Sequence, residues 1–118
     1  MHSFRKVLPI LPALLLLCGQ FSFVQLVLAE PTPEQIAKKS MCLGCHAVDR
    51  KAVGPSFKQI SQRYKSTPAE INRLSEKIKN GGVGAWGVVS MPANRANITD
   101  QEIKVVLDWI LKGAPAQN

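Results

Sequence analysis

Cysteine and histidine are scarce in this sequence, whose 118 residues include three cysteines and two histidines. Cys18 and His2 stand near the amino terminus, so the rest of the chain has only Cys42, Cys45 and His46. A structural zinc site takes four ligands, usually from two separated pairs, whereas this cluster supplies three. A disulfide between two cysteines so close together would close a very short loop and add little stability. The scarcity therefore argues against a zinc module and against a disulfide scaffold.

Strand periodicity is a second absence. No segment alternates apolar and polar residues with a period of two, which argues against a sheet and against the βαβ surroundings of a thioredoxin-like dithiol site. Aromatic residues make up 6% of the chain and are not interleaved with basic residues. That pattern does not indicate nucleic-acid binding. The absences favour an all-α fold.

What the sequence does contain is the pentapeptide Cys42-Leu43-Gly44-Cys45-His46. This is the C-x-x-C-H pattern of covalent haem attachment. Two thiols at this spacing can each add to one vinyl group of the same porphyrin, and the imidazole of the next residue can bind the iron. The motif predicts one covalent haem c, with Cys42 and Cys45 as the thioether positions and His46 as an axial ligand.

An export signal is predicted for residues 1–29. A short basic start, Arg5 and Lys6, is followed by an uncharged apolar stretch that ends in the small-residue pattern Val27-Leu28-Ala29. Cleavage there would release residues 30–118 into the periplasm as one domain. The apolar stretch is also long enough to span a bilayer. If it is retained, we expect a membrane-anchored haem subunit of an oxidase or reductase complex.

Four helices are predicted after the leader. Three of them open on a capping pattern, at Thr32–Gln35, Thr67–Glu70 and Thr99–Glu102. The first is expected to run into the haem motif, and a shorter helix is expected from Pro55. Residues 81–98 show neither helix nor strand signal but contain several apolar side chains. Long loops in compact domains are usually functional, so this one is predicted to wrap around the haem.

The second axial ligand follows by elimination. After the leader there is no histidine besides His46, and Met41 is too close to Cys42 to pass round the ring to its other face. Met91, in the long loop, is the remaining methionine. We predict His46 and Met91 as the axial ligands, with lysine or tyrosine ligation or an open site as alternatives. His/Met ligation raises the reduction potential and closes the iron, which predicts electron transfer and no enzymatic activity.

Five patterns then occur in a recognisable order. They are Cys42-x-x-Cys45-His46, Val53-Gly54-Pro55, Ile78-Lys79-Asn80-Gly81, Trp86-Gly87 and Met91-Pro92-x-Asn94. The combination resembles the small class I cytochromes c that carry electrons in the bacterial periplasm. The resemblance implies about four short helices wrapped around one covalent haem. It also implies that the first and last helices pack together, with Gly44 permitting a close approach and Trp109 in a packing role.

The same resemblance assigns roles around the haem. The residue matching Pro55 offers its carbonyl to the second nitrogen of the haem histidine, and the residue matching Trp86 donates its indole N–H to a propionate. Lys77 occupies the place of a basic propionate partner. Asn94 corresponds to an asparagine that hydrogen-bonds near the methionine sulfur. Each residue also has a purely structural interpretation: a helix start, a core side chain, a solvated charge and a turn residue, respectively.

Charge indicates the kind of partner. The formal net charge is +7, and removal of residues 1–29 leaves thirteen basic and eight acidic residues, a net of +5. A basic carrier is steered towards redox proteins with acidic docking patches. Candidate contacts near the haem edge are Lys38, Lys39, Lys51, Lys58, Lys65, Lys79 and Arg95. Electron-transfer encounters are small and transient, so a monomer is expected.

Overall fold

The computed structural model describes residues 29–116, so the predicted leader lies outside the described residues except for Ala29. The helices are α1 (Pro33–Lys39), α2 (Phe57–Arg63), α3 (Pro68–Asn80) and α4 (Asp100–Leu111). Two short strands, β1 (Gly82–Gly84) and β2 (Gly87–Met91), lie between α3 and α4. Within residues 29–116, no helix has the length and apolar character needed to cross a membrane.

Capping side chains start α1 and α4 as predicted. The Thr32 hydroxyl accepts a hydrogen bond from the backbone N–H of Gln35, and the Gln35 side chain accepts one from the Thr32 N–H. Thr99 and Glu102 form the same reciprocal pair at the start of α4. Each pair satisfies two of the N–H groups that a helix start leaves without a partner.

The start of α2 differs from the prediction. The helix begins at Phe57 and not at Pro55, because Ser56 is its N-cap. The Ser56 hydroxyl accepts from the Gln59 N–H at 3.0 Å, and the Gln59 side chain accepts from the Ser56 N–H at 3.0 Å. This is a full capping box that the sequence prediction missed.

The haem motif does not continue α1, which corrects a second expectation. The helix ends at Lys39, Met41 adopts a left-handed conformation with φ of +61°, and Cys42–Gly44 forms a single 3₁₀ turn. Tertiary hydrogen bonds hold the chain in this path. The buried Ser40 hydroxyl donates to the Asn97 carbonyl oxygen at 3.1 Å, which ties the helix end to a distant loop.

The loop predicted to lack regular structure contains an antiparallel hairpin. Gly82 pairs with Met91 and Gly84 with Gly87, with an irregular step between these pairs. All three of these glycines have positive φ, a backbone conformation that favours glycine. The hairpin was missed because its strands are short and depend on glycine conformation and pairing, without an alternating apolar pattern. The class remains predominantly helical.

The core forms around α4. Its buried residues include Ile103, Val106, Leu107 and Ile110, and α4 packs on α1, α2 and α3. The expected contact between the first and last helices is therefore present. Gly44 does not mediate it, because a Cβ at that position would meet nothing within 4 Å.

Trp109 has the packing role expected of it. Its side chain is 4% exposed and meets the Phe57 ring edge-on, with ring centroids 5.4 Å apart. Its indole N–H donates to the Pro115 carbonyl oxygen at 2.9 Å, so the polar edge of the ring is also satisfied inside the protein.

Candidate functional site

One large cavity of about 660 Å³ lies between the haem motif, helices α2 to α4 and the hairpin. Its wall includes seven of the eight site residues predicted from the sequence, namely Cys42, Cys45, His46, Pro55, Lys77, Trp86 and Met91. Apolar side chains from three helices complete the wall, namely Phe57, Ile60, Leu74, Ile78, Val106, Leu107 and Ile110. The fold thus brings residues from distant parts of the chain around one space.

The His46 imidazole is fixed by its neighbours. Its Nδ1 lies 2.7 Å from the Pro55 carbonyl oxygen. A carbonyl can only accept, so Nδ1 carries the proton and donates it, which leaves the Nε2 lone pair available for a metal. The Phe57 ring stacks beside the imidazole at 5.7 Å between centroids, inclined by 19°.

Gly54 is also part of the site, although the sequence indicated it only as a member of the Val53-Gly54-Pro55 pattern. A Cβ on Gly54 would lie 2.6 Å from Cε1 and 2.9 Å from Nδ1 of His46. The backbone therefore passes directly against the imidazole, and only glycine leaves that space. The position of Gly54 immediately before Pro55 could have pointed to this role. The sequence does not show, however, that the His46 side chain occupies the space beside Gly54.

Cys42 and Cys45 are not joined by the disulfide considered from the sequence. Burial raises the pKa of the Cys42 thiol above its ordinary value. Within residues 29–116, no three His, Cys, Asp or Glu side chains are grouped to hold a metal ion.

Met91 ends β2 and lines the same cavity. Its backbone passes close to Gly81, where a Cβ would lie 2.3 Å from the Met91 carbonyl oxygen. Gly81 also has a φ of +68°, so two separate constraints favour glycine. Like Gly54, Gly81 therefore influences the geometry of the site without supplying a functional side chain.

Trp86 is at the tip of the hairpin and lies in an aromatic and cationic cluster. The Tyr64 ring meets the indole edge-on at 6.2 Å, and the Arg63 guanidinium lies 4.6 Å from the Trp86 ring centroid. Arg73 lies 4.8 Å from the Tyr64 ring on the cavity wall. None of these three partners was predicted, because contacts between α2, α3 and a hairpin tip leave no local pattern. The propionate contact of Trp86 stays a prediction.

Lys77 and Asn94 have protein partners in the structure. The Lys77 ammonium donates to the Val83 carbonyl oxygen at 3.1 Å and also lines the cavity. The Asn94 amide donates to the Ser40 carbonyl oxygen at 2.8 Å and is not among the lining residues. Asn94 therefore ties the loop after Met91 to the end of α1. Its expected hydrogen bond near the methionine sulfur stays a prediction, as does the propionate contact of Lys77.

Comparison with known proteins identifies the family. The family model described as Cytochrome c matches residues 34–114. The chain belongs to the cytochrome c family. Cytochrome c-552 of Nitrosomonas europaea is 42% identical over 76 residues, which are 64% of this cytochrome and 73% of that protein. Cytochrome c-551 of Azotobacter vinelandii is 40% identical over 80 residues, or 68% and 95% of the two chains.

Solved structures confirm the class I cytochrome c fold. The crystal structure of wild-type Nitrosomonas europaea cytochrome c552 matches this cytochrome with a TM-score of 0.61 at 41% identity. The match covers 66% of this chain and 95% of that one. The class 1 cytochrome MtoD from Sideroxydans lithotrophicus ES-1 has the same fold, with a TM-score of 0.60 at 24% identity.

The cofactor of this cytochrome is one c-type haem, and the residues of the cavity fit it. A porphyrin is a large, flat and mostly apolar body, and the helices supply an apolar wall. Two cysteine side chains, an imidazole with an available Nε2 lone pair and a thioether are groups of the kinds that can hold haem c and its iron. The resemblance predicted from the sequence is thereby confirmed at the level of family, fold and cofactor.

Proposed function

We propose that this cytochrome c is a periplasmic electron carrier with a single haem, tethered by Cys42 and Cys45 and bound axially by His46 and Met91. Membership of the cytochrome c family supports electron transfer. The observation that supports the ligand assignment is that Cys42, Cys45, His46 and Met91 all line one cavity. Met91 is distant in sequence from the other three, so folding alone brings it there.

The roles of the protein residues follow from ordinary haem chemistry. The haem iron supplies a one-electron couple. Cys42 and Cys45 would tether the haem, each by adding its S–H across one vinyl group, with sulfur on one carbon and hydrogen on the other. The Pro55 carbonyl orients the His46 ring and makes it a stronger donor to iron. A methionine as the second ligand raises the potential and closes the iron to other ligands, so an electron carrier is favoured over an enzyme.

The distribution of charge supports an acidic redox partner. Residues 50–66 contain five basic and no acidic side chains, namely Arg50, Lys51, Lys58, Arg63 and Lys65. Lys51 lies on the cavity wall, and Lys58 is exposed on α2. By contrast, Lys39 and Lys79 of the predicted ring are ion-paired with residues of α3 and α4. We therefore propose that an acidic partner docks around residues 50–66. We also propose that the protein acts as a monomer.

Export supports the periplasmic assignment. The basic start and the small-residue pattern that ends at Ala29 are features of a signal peptide. Mass spectrometry of the purified protein tests this directly. Cleavage after Ala29 with one attached haem gives the mass of residues 30–118 plus one porphyrin. Retention of residues 1–29 would favour the membrane-anchored alternative.

Absorption spectroscopy of the ferric holoprotein tests the axial ligands. Methionine bound to ferric haem gives a weak charge-transfer band at the red edge of the visible spectrum. We expect Met91→Ala to abolish this band, because the sulfur ligand is removed. Met41→Ala is the matched control, since Met41 is 71% exposed and does not line the cavity. A band that survives in Met91→Ala, or that is lost in both variants, would refute the assignment.

A further inference from the structure

The hairpin of residues 82–91 connects two groups that the proposed function places at the haem. Its turn consists of Ala85 and Trp86, because Gly84 pairs with Gly87. Its opposite end carries Met91, paired with Gly82. Any movement of the tip relative to the helices would therefore be transmitted along the strands towards Met91.

The base of the hairpin is fixed by the main chain. The Asn94 N–H donates to the Ile78 carbonyl oxygen at 3.0 Å, and Gly81 lies against the Met91 backbone. Among the described elements, the two strands pack chiefly on each other, and neither packs extensively on a helix. What holds the tip must therefore come from individual side chains.

Two such contacts reach the hairpin: the Lys77 ammonium of α3 donates to the Val83 carbonyl oxygen in β1 at 3.1 Å, and side chains at the end of α2 contact the tip. Arg63 is the last residue of that helix and Tyr64 is its C-cap. The Arg63 guanidinium lies 4.6 Å from the Trp86 ring centroid and 5.6 Å from that of Tyr64. It therefore covers both rings, which themselves meet edge-on at 6.2 Å. A planar guanidinium stacks on aromatic faces in a way that the ammonium of lysine does not.

We propose that Arg63 is a positioning residue that holds the hairpin tip on α2 and thereby keeps Met91 in place at the haem. The role of Met91 in this statement rests on the proposed function. Within residues 29–116 the Arg63 guanidinium forms no ion pair, and it contacts the Tyr64 and Trp86 rings. Arg63 of α2 thus joins the residues that control the position of the hairpin of residues 82–91.

A purely electrostatic effect of the positive charge is the competing explanation. Lys58 provides the control, because it is an exposed cation on the same helix. Within residues 29–116 its side chain has neither an ion pair nor a ring contact. Lys58→Gln removes one positive charge from α2, whereas Arg63→Gln removes the charge and the stacking together. Arg63→Lys retains the charge and loses the planar group.

The experiment measures amide hydrogen exchange in the ferric holoproteins, with the amides of α4 as the internal reference for global stability. An exposed cation–π contact predicts that Arg63→Gln exchanges about two- to five-fold faster across residues 82–91. Arg63→Lys should lie between Arg63→Gln and the unchanged protein, and Lys58→Gln should exchange like the unchanged protein. Unchanged exchange in Arg63→Gln, or equally faster exchange in Lys58→Gln, would overturn the proposal.

A second measurement follows the methionine itself. Added imidazole can bind the ferric iron only after the axial methionine leaves, so its affinity reports how readily the loop opens. We expect Arg63→Gln to bind imidazole about two- to five-fold more tightly, by the same factor as the exchange. An unchanged imidazole affinity would overturn the link from Arg63 to Met91. Failure of the ligand assignment is recognised separately, because Met91→Ala would then leave the spectrum intact while the exchange data still decide the role of Arg63.

Discussion

Gly54 offers a direct test of how the protein positions its haem ligand. We predict that Gly54→Ala destabilises the holoprotein, because the new methyl group would collide with the His46 imidazole. The closest approach would be 2.6 Å to Cε1, whereas ordinary contact begins at 3.4 Å, so the shortfall is 0.8 Å. No positive φ is recorded for Gly54, so the collision and not backbone strain decides the effect.

The imidazole has little freedom to move away. Its Nδ1 is held 2.7 Å from the Pro55 carbonyl oxygen, and the Phe57 ring stacks beside it. Relief of the collision must therefore lengthen that hydrogen bond or shift the backbone. Overpacking of a tightly filled site costs about 1–3 kcal/mol, and we expect a loss of unfolding free energy in this range. A displaced ring would also change the iron environment, so the reduction potential should move.

Denaturant unfolding of the ferric holoprotein measures the stability, and voltammetry measures the potential. Gly44→Ala is the matched control, because a Cβ at Gly44 meets nothing within 4 Å and this glycine also lies beside the haem motif. Where the backbone tolerates it, replacing glycine by alanine stabilises by about 0.4–1 kcal/mol through the unfolded chain. If Gly54→Ala and Gly44→Ala have the same stability and potential, the steric argument is refuted.

Two further predictions concern the loop and the acid stability. Gly81→Ala should lower the thermal stability more than Gly87→Ala: both glycines have positive φ, but only at residue 81 would the Cβ meet backbone, 2.3 Å from the Met91 carbonyl oxygen. Equal losses in the two variants would contradict this. The Lys39 ammonium and local hydrogen bonds lower the pKa of Glu102 from 4.5 to about 2. Because the folded-state pKa is depressed, this stabilisation is present above pH 4.5 and is lost as the pH falls towards 2. Glu102→Gln should therefore flatten the decline in stability over that interval, and an unchanged decline would argue against the Lys39 contact.

The starts of α1 and α4 were predictable because all the interacting groups lie within four residues, although the equally local Ser56–Gln59 box of α2 was missed. Thr32 and Thr99 each form their box because the partner side chain is fixed by the helix itself. At the third capping pattern, Thr67–Glu70, only one of the two expected hydrogen bonds forms. Thr67 accepts from the Glu70 N–H, but the Glu70 carboxylate binds the Arg73 guanidinium one turn later. Local sequence thus indicates the candidates for a cap but does not decide between competing partners.

The candidate site was predictable to the extent that its chemistry is contiguous or rare. Cys42, Cys45 and His46 lie within five consecutive positions, and Met91 was proposed as a ligand because so few side chains could serve. The hydrogen bond from His46 to Pro55 agrees with the role implied by the family resemblance. Asn94 was placed near the site, but its observed partner is the Ser40 carbonyl.

The sequence by itself determined the cofactor and the helical class, and it left few candidate iron ligands. Residue identity and short spacing carry that information. The tertiary structure alone decided that the motif sits on a 3₁₀ turn, that the methionine loop is a hairpin and that Gly54 makes room for the imidazole. It also placed Arg63 over Trp86, 23 positions later in the chain. These features depend on which distant surfaces meet when the core packs, and no local pattern encodes that meeting.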